Sequence, residues 1–336
     1  MKKMFRLALL VVMMAFMVMP ILSVKAQDCP EGVTGADCDL LTAAGKAQYT
    51  SFTIDSYTVG INVKGAPTGD VVVDVKGSGA IDGSKLMPGG TMLTDTTEIL
   101  KALLMVLTID AKVDASGKSQ AGTIEVRFVD GVAYFKASMQ GDTWFKADVE
   151  KLLAAGGGMG MNPADMVDMG SNAALTEALN ALTKLSGVAT TTVTDGPEIG
   201  GVKTRQFTTE INVAALVNGL LGPDFRAQLK TLAGQFGAPI DDAALAQLSG
   251  VVTMFEPLLK ATKISAVQYI GVDDKLVYGA DLMFATTVDA MTGAMFGLTN
   301  ALSVDINFSI RLSGVNKPVT VEPVADATDL PLPGSN

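Results

Sequence analysis

Apolar and polar residues alternate over much of this chain, the pattern of half-buried antiparallel strands. The longest run sets Leu302, Val304, Ile306, Phe308, Ile310 and Leu312 on one face and Ser303, Asp305, Asn307, Ser309 and Arg311 on the other. Met105, Leu107, Ile109, Ala111 and Val113 repeat the pattern against Thr108, Asp110 and Lys112. Ile124, Val126 and Phe128 form another strand, which Asp130-Gly131, strong hairpin chemistry, turns into Ala133-Tyr134-Phe135-Lys136. A second turn at Gln140-Gly141-Asp142 leads into Trp144-Phe145. Further strands are expected near 51–64, 70–77, 188–194, 202–211, 264–270 and 276–284.

Helical spacing occurs in three places. Leu175, Leu179 and Leu182 recur every three or four residues. Phe225, Leu229, Leu232 and Phe236 do so after Pro223-Asp224, with Pro in the first turn. Leu245, Leu248, Val252, Phe255 and Leu259 follow Asp241, a plausible N-cap. Strand runs interrupted by helices predict an α+β chain with one continuous antiparallel sheet. No internal repeat or long linker divides it, so residues 45–325 read as one domain. Residues 27–44 read as an N-terminal tail and 326–336 as a flexible C-terminal tail.

Three stretches mix Gly, Met and Ala without strand pattern: Leu86 to Thr96, Ala154 to Gly170 and Ala290 to Leu302. They hold or adjoin Met87, Met92, Met159, Met161, Met166, Met169, Met291 and Met295. Met suits surfaces that accept varied apolar partners, and it also plugs gaps in cores. A lid and a set of gap-filling loops both fit.

The N-terminus changes the picture. Lys2, Lys3 and Arg6 precede an apolar stretch from Leu7 to Met19, Pro20 breaks it, and Val24-Lys25-Ala26 ends it with short side chains. That is the order of a secretory signal peptide, 1–26, with cleavage after Ala26, and the apolar run is short for a membrane span. A retained anchor is the alternative. Lipidation of Cys29 needs a small residue before it, and Asp28 stands there. Cys29 and Cys38, the chain's two cysteines, therefore read as a disulfide, which an exported compartment permits. A loop that short stabilises by about 2–3 kcal/mol.

Losing residues 1–26 removes four of 25 cations and none of 35 acids, leaving 21 against 35 and a net charge of −14. Such a surface repels phosphate backbones, so nucleic acid is not an expected partner. The chain has no histidine, which removes the commonest general base and the triads built on it. Gly156-Gly157-Gly158-Met159-Gly160 lacks the Lys-Ser/Thr of a phosphate loop. Asp241-Asp242 and Asp273-Asp274 read as a helix cap and a hairpin turn. The expectation is no enzyme and no cofactor.

Three segments carry a family resemblance. They are Val129-Asp130-Gly131-Val132-Ala133-Tyr134-Phe135-Lys136 with Gly141-Asp142-Thr143-Trp144-Phe145-Lys146; Gly200-Gly201-Val202-Lys203-Thr204-Arg205-Gln206-Phe207 through Leu216; and Leu312-Ser313-Gly314-Val315-Asn316-Lys317-Pro318-Val319-Thr320-Val321-Glu322-Pro323. In this order, across roughly residues 45–327, they resemble the LolA/LppX-type lipoprotein-carrier superfamily, in particular its LppX/LprG-like branch. The resemblance implies a strongly curved antiparallel sheet, a half-barrel, with helices over its concave face. Between them it implies an apolar cavity for acyl chains of lipids or lipoproteins. The lipid-anchoring cysteine of that branch is missing here, and the Cys29–Cys38 pair is extra.

The apolar positions available to line such a cavity are Met105, Leu107, Phe128, Phe135, Trp144, Met166, Leu175, Leu179, Leu182, Phe255, Phe284, Met291, Met295, Val304, Ile306 and Phe308. The leading expectation is a monomeric, exported binder or carrier of hydrophobic ligands such as acyl lipids, working in the periplasm or at the cell surface. The membrane surface of the envelope, or its lipoproteins, is an expected partner. The alternatives are a structural or interaction protein of the cell envelope with a filled core, and an extracytoplasmic enzyme using carboxylates.

Overall fold

The structure is a computed structural model that describes residues 29–67, 69–86, 93, 95–154, 187–222, scattered positions from 243 to 257, 259–294 and 300–330. Its strands are β1 Ser51–Lys64, β2 Val71–Asp82, β3 Leu104–Ala115, β4 Lys118–Val129, β5 Val132–Ala137, β6 Phe145–Asp148, β7 Ala189–Asp195, β8 Thr204–Ile211, β9 Lys263–Gly271, β10 Val277–Val288, β11 Leu302–Ser313 and β12 Thr328–Asp329. The described helices are short: α1 Gly35–Lys46, α2 Thr96–Ala102, α3 Val149–Ala154, α4 Val213–Leu221 and α5 Ala290–Ala294.

All twelve strands join one sheet in the order β12-β6-β5-β4-β3-β2-β1-β11-β10-β9-β8-β7. The chain starts at the centre with β1 and works outward to β6. It resumes at the far edge with β7 and returns strand by strand until β11 pairs antiparallel with β1. Every pairing is antiparallel except β12 on β6. Local chemistry sets the hairpins. Asp130 and Gly131 carry φ of 53° and 76° between β4 and β5, the left-handed pair that a two-residue turn requires.

The architecture is thus mostly β, and the sheet is not strongly curled, unlike the half-barrel that the family resemblance implies. Register shifts, the bulges that bend a strand, are confined to Ile54–Tyr57 in β1 and Val277–Gly279 in β10. The remaining long strands pair without interruption, so little bends the sheet along their length. Among the described residues the two outer strands, β12 and β7, do not pair with each other. The helical segments expected at 175–182 and 225–236 lie outside the described residues, and 245–259 does so for the most part. Among the described residues no helix is long and apolar enough to cross a membrane.

The core lies on one face, at the end of the sheet where β1 begins. Phe52, Ile54, Ile81, Met105, Leu107, Ile109, Phe128, Ile310 and Leu312 are buried there, with Ile270 and Val277 alongside. Of residues 27–44, read from sequence as a tail, the described part, 29–44, differs from that reading. Thr34 precedes α1, whose Leu40, Leu41 and Ala44 are buried in this same core. Cys29 and Cys38 are joined, with Cα atoms 5.7 Å apart, which ties the segment before α1 to the helix itself. Arg205 on β8 adds a charged clamp, reaching Asp37 of α1 through Nε at 3.0 Å and Nη2 at 2.8 Å.

The closing motif also has a physical role. β11 ends at Ser313, and Asn316 (φ 58°) then grips the entry to β1. Its Oδ1 accepts from Thr50 N at 2.9 Å, and its Nδ2 donates to Gln48 O at 3.0 Å. Downstream, Val319 N donates to Asp82 Oδ2 at 3.0 Å. Asn tolerates the left-handed conformation and supplies both a donor and an acceptor, which no other residue does as compactly. Asn316→Ala is expected to lower stability by about 1–2 kcal/mol, measured by denaturant titration. An unchanged midpoint would show that the clasp is decorative.

Candidate functional site

Paired strand residues point to the same side of a sheet, so the register assigns every side chain to a face. The face carrying α1 is apolar across the centre of the sheet and turns polar toward β7, where Gln268, Thr209, Thr191 and Arg205 join it. Across its centre run Val59, Ile61 and Val63 of β1, Val71, Val73 and Val75 of β2, Ala111 and Val113 of β3, Val304, Ile306 and Phe308 of β11, and Leu282 and Phe284 of β10. The opposite face carries Thr58, Asn62, Asp74, Lys76, Asp110, Lys112, Asp281, Asp305, Asn307 and Arg311. Long strands with a clean alternation produce this two-sidedness directly.

The apolar face is unevenly covered. Its α1 end is buried, whereas the residues just named, at the end where β1 finishes, are only half-buried. This half-covered apolar floor is the candidate ligand surface. Tyr57 stands at the boundary between the two halves. Its ring lies over Gly77 on β2, where a Cβ would come within 2.7 Å of the ring. Its hydroxyl is buried and has no hydrogen-bond partner. Burial, and then the charge of Asp110, push that hydroxyl well above the ordinary tyrosine range, so it stays protonated.

The sequence-derived candidates divide. Phe284, Val304, Ile306 and Phe308 lie together on the half-covered floor. Phe135 shares the face farther out, its ring stacked on Phe145 with centroids 5.5 Å apart. Met105, Leu107 and Phe128 share it too, but in the buried core. Met166, Leu175, Leu179, Leu182, Phe255 and Met295 lie outside the described residues.

Two candidates are misplaced. Trp144 packs on the polar side, with Tyr134, Val129 and Val321 under the C-terminal segment. Arg127 and Lys136 stand over its ring at 5.2 and 5.5 Å. It immediately precedes β6, outside the alternation that would have fixed its face. Met291 is 83% exposed on α5. Asp289 caps that turn by accepting from Thr292 N at 2.7 Å, and the residue turned inward is Gly293, which sends Met291 to solvent. Reasoning from sequence passed over the β1–β2 valines. Their alternation with Thr58, Asn62, Asp74 and Lys76 was legible, but their place beside β11 is a matter of register.

The polar face holds a two-pronged ionic contact. Arg311 grips Asp281 through Nη1 at 2.6 Å and Nη2 at 2.9 Å. Tyr269 donates to the same carboxylate at 2.8 Å, and its ring lies 4.5 Å beneath the guanidinium. Burial raises the Asp281 carboxyl, but the hydrogen bonds from Arg311, Ser309 and Tyr269 outweigh it and hold the group below the usual carboxylate range. A depressed folded value stabilises at pH above the unfolded value, about 3.9, and that stabilisation is lost as pH falls through the folded value. Asp281→Asn is therefore expected to lower the melting temperature at pH 7 and to narrow its gap to the parent below about pH 4. A gap constant from pH 7 to acid would exclude ionic linkage at this residue.

A search with models of known protein families finds no match to this chain, and a comparison with curated proteins finds none either.

Proposed function

We propose that this chain is an exported, non-enzymatic binder or carrier of hydrophobic ligands, acyl lipids or lipidated molecules, which it holds against the apolar sheet face. One observation carries the reading. About half of a continuous apolar face is buried beneath α1 and its neighbours, and the other half is apolar yet only half-covered. A sheet that needed only a core would have little use for the β-branched apolar residues Val59, Ile61, Val63, Val71, Val73 and Val75, beyond the buried half. The LolA/LppX-like resemblance of the sequence agrees with this reading. In it, the ligand comes from the envelope membrane or its lipoproteins.

The mechanism is burial. Each methylene moved out of water contributes about 0.8 kcal/mol, so a chain of about a dozen gives on the order of 10 kcal/mol before the cost of association. Micromolar affinity, about 8 kcal/mol, is within that reach. The unpaired Tyr57 hydroxyl lies at the edge of the floor, but the reading does not depend on it.

Native mass spectrometry of the purified full chain tests the proposal, together with titration of a fluorescent fatty acid. A co-purified acyl lipid, or saturable uptake that a non-fluorescent fatty acid displaces, is the expected result. A protein that carries no lipid and takes up no fatty acid would instead be a structural or interaction protein of the envelope whose floor is filled from within.

A further inference from the structure

β6 and β7, toward the two sides of the sheet, each carry a segment remote from them in sequence. Beside β6, Thr328 N donates to Trp144 O and Leu330 N to Lys146 O, both at 2.8 Å, and the contact continues as β12. The segment read from sequence as a free C-terminal tail thus begins inside the sheet. Beside β7, Thr191 N donates to Glu31 O at 3.0 Å. Among the described residues this is the one backbone hydrogen bond that the outward side of β7 makes. Glu31 belongs to the loop closed by Cys29 and Cys38. Its neighbour Gly32 has φ of 93° and lies so near the strand that a Cβ would meet Thr191 O at 2.4 Å. The loop is fitted to this edge.

An outer strand with free backbone donors and acceptors is a template for another chain, and proteins guard such edges with Lys, Pro, bulges or a covering segment. β7 reads Ala-Thr-Thr-Thr-Val-Thr-Asp, with five β-branched residues and no Lys or Pro. Its pairing to β8 runs without a bulge. Its one charge, Asp195, is engaged by Arg205 Nη1 at 2.6 Å. That composition is strand-forming and weakly charged, the kind that associates when uncovered. The covering loop is its one guard among the described residues.

We propose that the outward edge of β7 is a strand-addition surface for a second copy of this chain, held shut by the Cys29–Cys38 loop. A twofold interface uses one surface twice, and an antiparallel edge satisfies that requirement. Self-pairing centred on Thr192 sets Thr191 against Val193 of the second copy, and Ala189 against its Asp195. No like charges oppose each other. The bond to Glu31 occupies the same Thr191 N–H that such pairing needs, so loop and second copy exclude one another.

The test replaces both cysteines in the full chain, Cys29→Ser with Cys38→Ser, and measures molar mass by light scattering after gel filtration. α1 remains anchored by Leu40, Leu41 and Ala44, so the fold should persist with a single cooperative melt. The parent is expected at single-chain mass and the double variant at twice that. Adding Val193→Pro removes an outward-pointing edge donor and is expected to restore the single-chain mass. A double variant that stays at single-chain mass overturns the proposal. So does a doubled mass that survives Val193→Pro, which would place association elsewhere. Loss of cooperative melting in the double variant also overturns it, since the loop would then be a structural member and not a guard.

Discussion

Leu312→Asp is expected to leave no folded protein, whereas Asn307→Asp on the same strand is expected to shift the melting temperature by no more than about 2 °C. Leu312 is 0% exposed and lies opposite Ile54, in the core that α1 also enters. Among the described residues no Lys or Arg is buried, so none stands ready in that core to receive a carboxylate. Burying an unpaired carboxylate costs several kcal/mol, against a total stability of about 5–15 kcal/mol. Asn307 is exposed on the opposite face, beside Gly60 and Met283, where water solvates the new charge. Phe308, on the core face but only half-buried, should fall between them when changed to Asp. Circular dichroism and soluble yield of the three variants measure the gradient. Equal tolerance at 307 and 312 would mean that β11 is out of phase with the faces assigned here.

That gradient shows what alternation can and cannot reveal. A period of two is visible in one strand at a time, so the long strands could be placed from residues such as 302–312 and 105–113 alone. What alternation lacks is the neighbour. Nothing in β1 says that β11 lies beside it, since the pairing spans more than two hundred residues. The half-covered floor is made by that pairing, and so it stayed out of sight while its valines were read one strand at a time. α1 was missed for a different reason. Its buried residues are only Leu40, Leu41 and Ala44, set among Gly, Asp, Thr and Lys, too few to show a helical period. Trp144 and Met291 are apolar, but apolar character alone carries no direction. Strand ends and single-turn helices have no period to decide direction.

Ala111→Trp is expected to weaken fatty-acid uptake tenfold or more, equivalent to about 1.4 kcal/mol, with the melting temperature held within about 2 °C. Ala111 sits on the half-covered floor, paired with Val75 on one side and Gly122 on the other, so a large side chain there projects over the smallest neighbours on that face. Small-to-large changes distinguish an open floor from a filled one, because a packed core resists added volume at about 1–3 kcal/mol and an open surface does not. In the carrier reading the indole occupies space that an acyl chain would otherwise take, so binding falls and folding is spared. In the structural-protein reading the same indole displaces whatever fills the floor, so the melting temperature drops by several degrees and neither protein binds the probe. The two quantities must come from the same preparation, since a destabilised protein also loses binding. Ile109→Trp supplies the contrast: it lies two residues away on the same face of β3, is buried, and should lose stability under either reading. Equal loss of stability at 109 and 111 would mean that the floor is core throughout its length, and the carrier reading would fall with it.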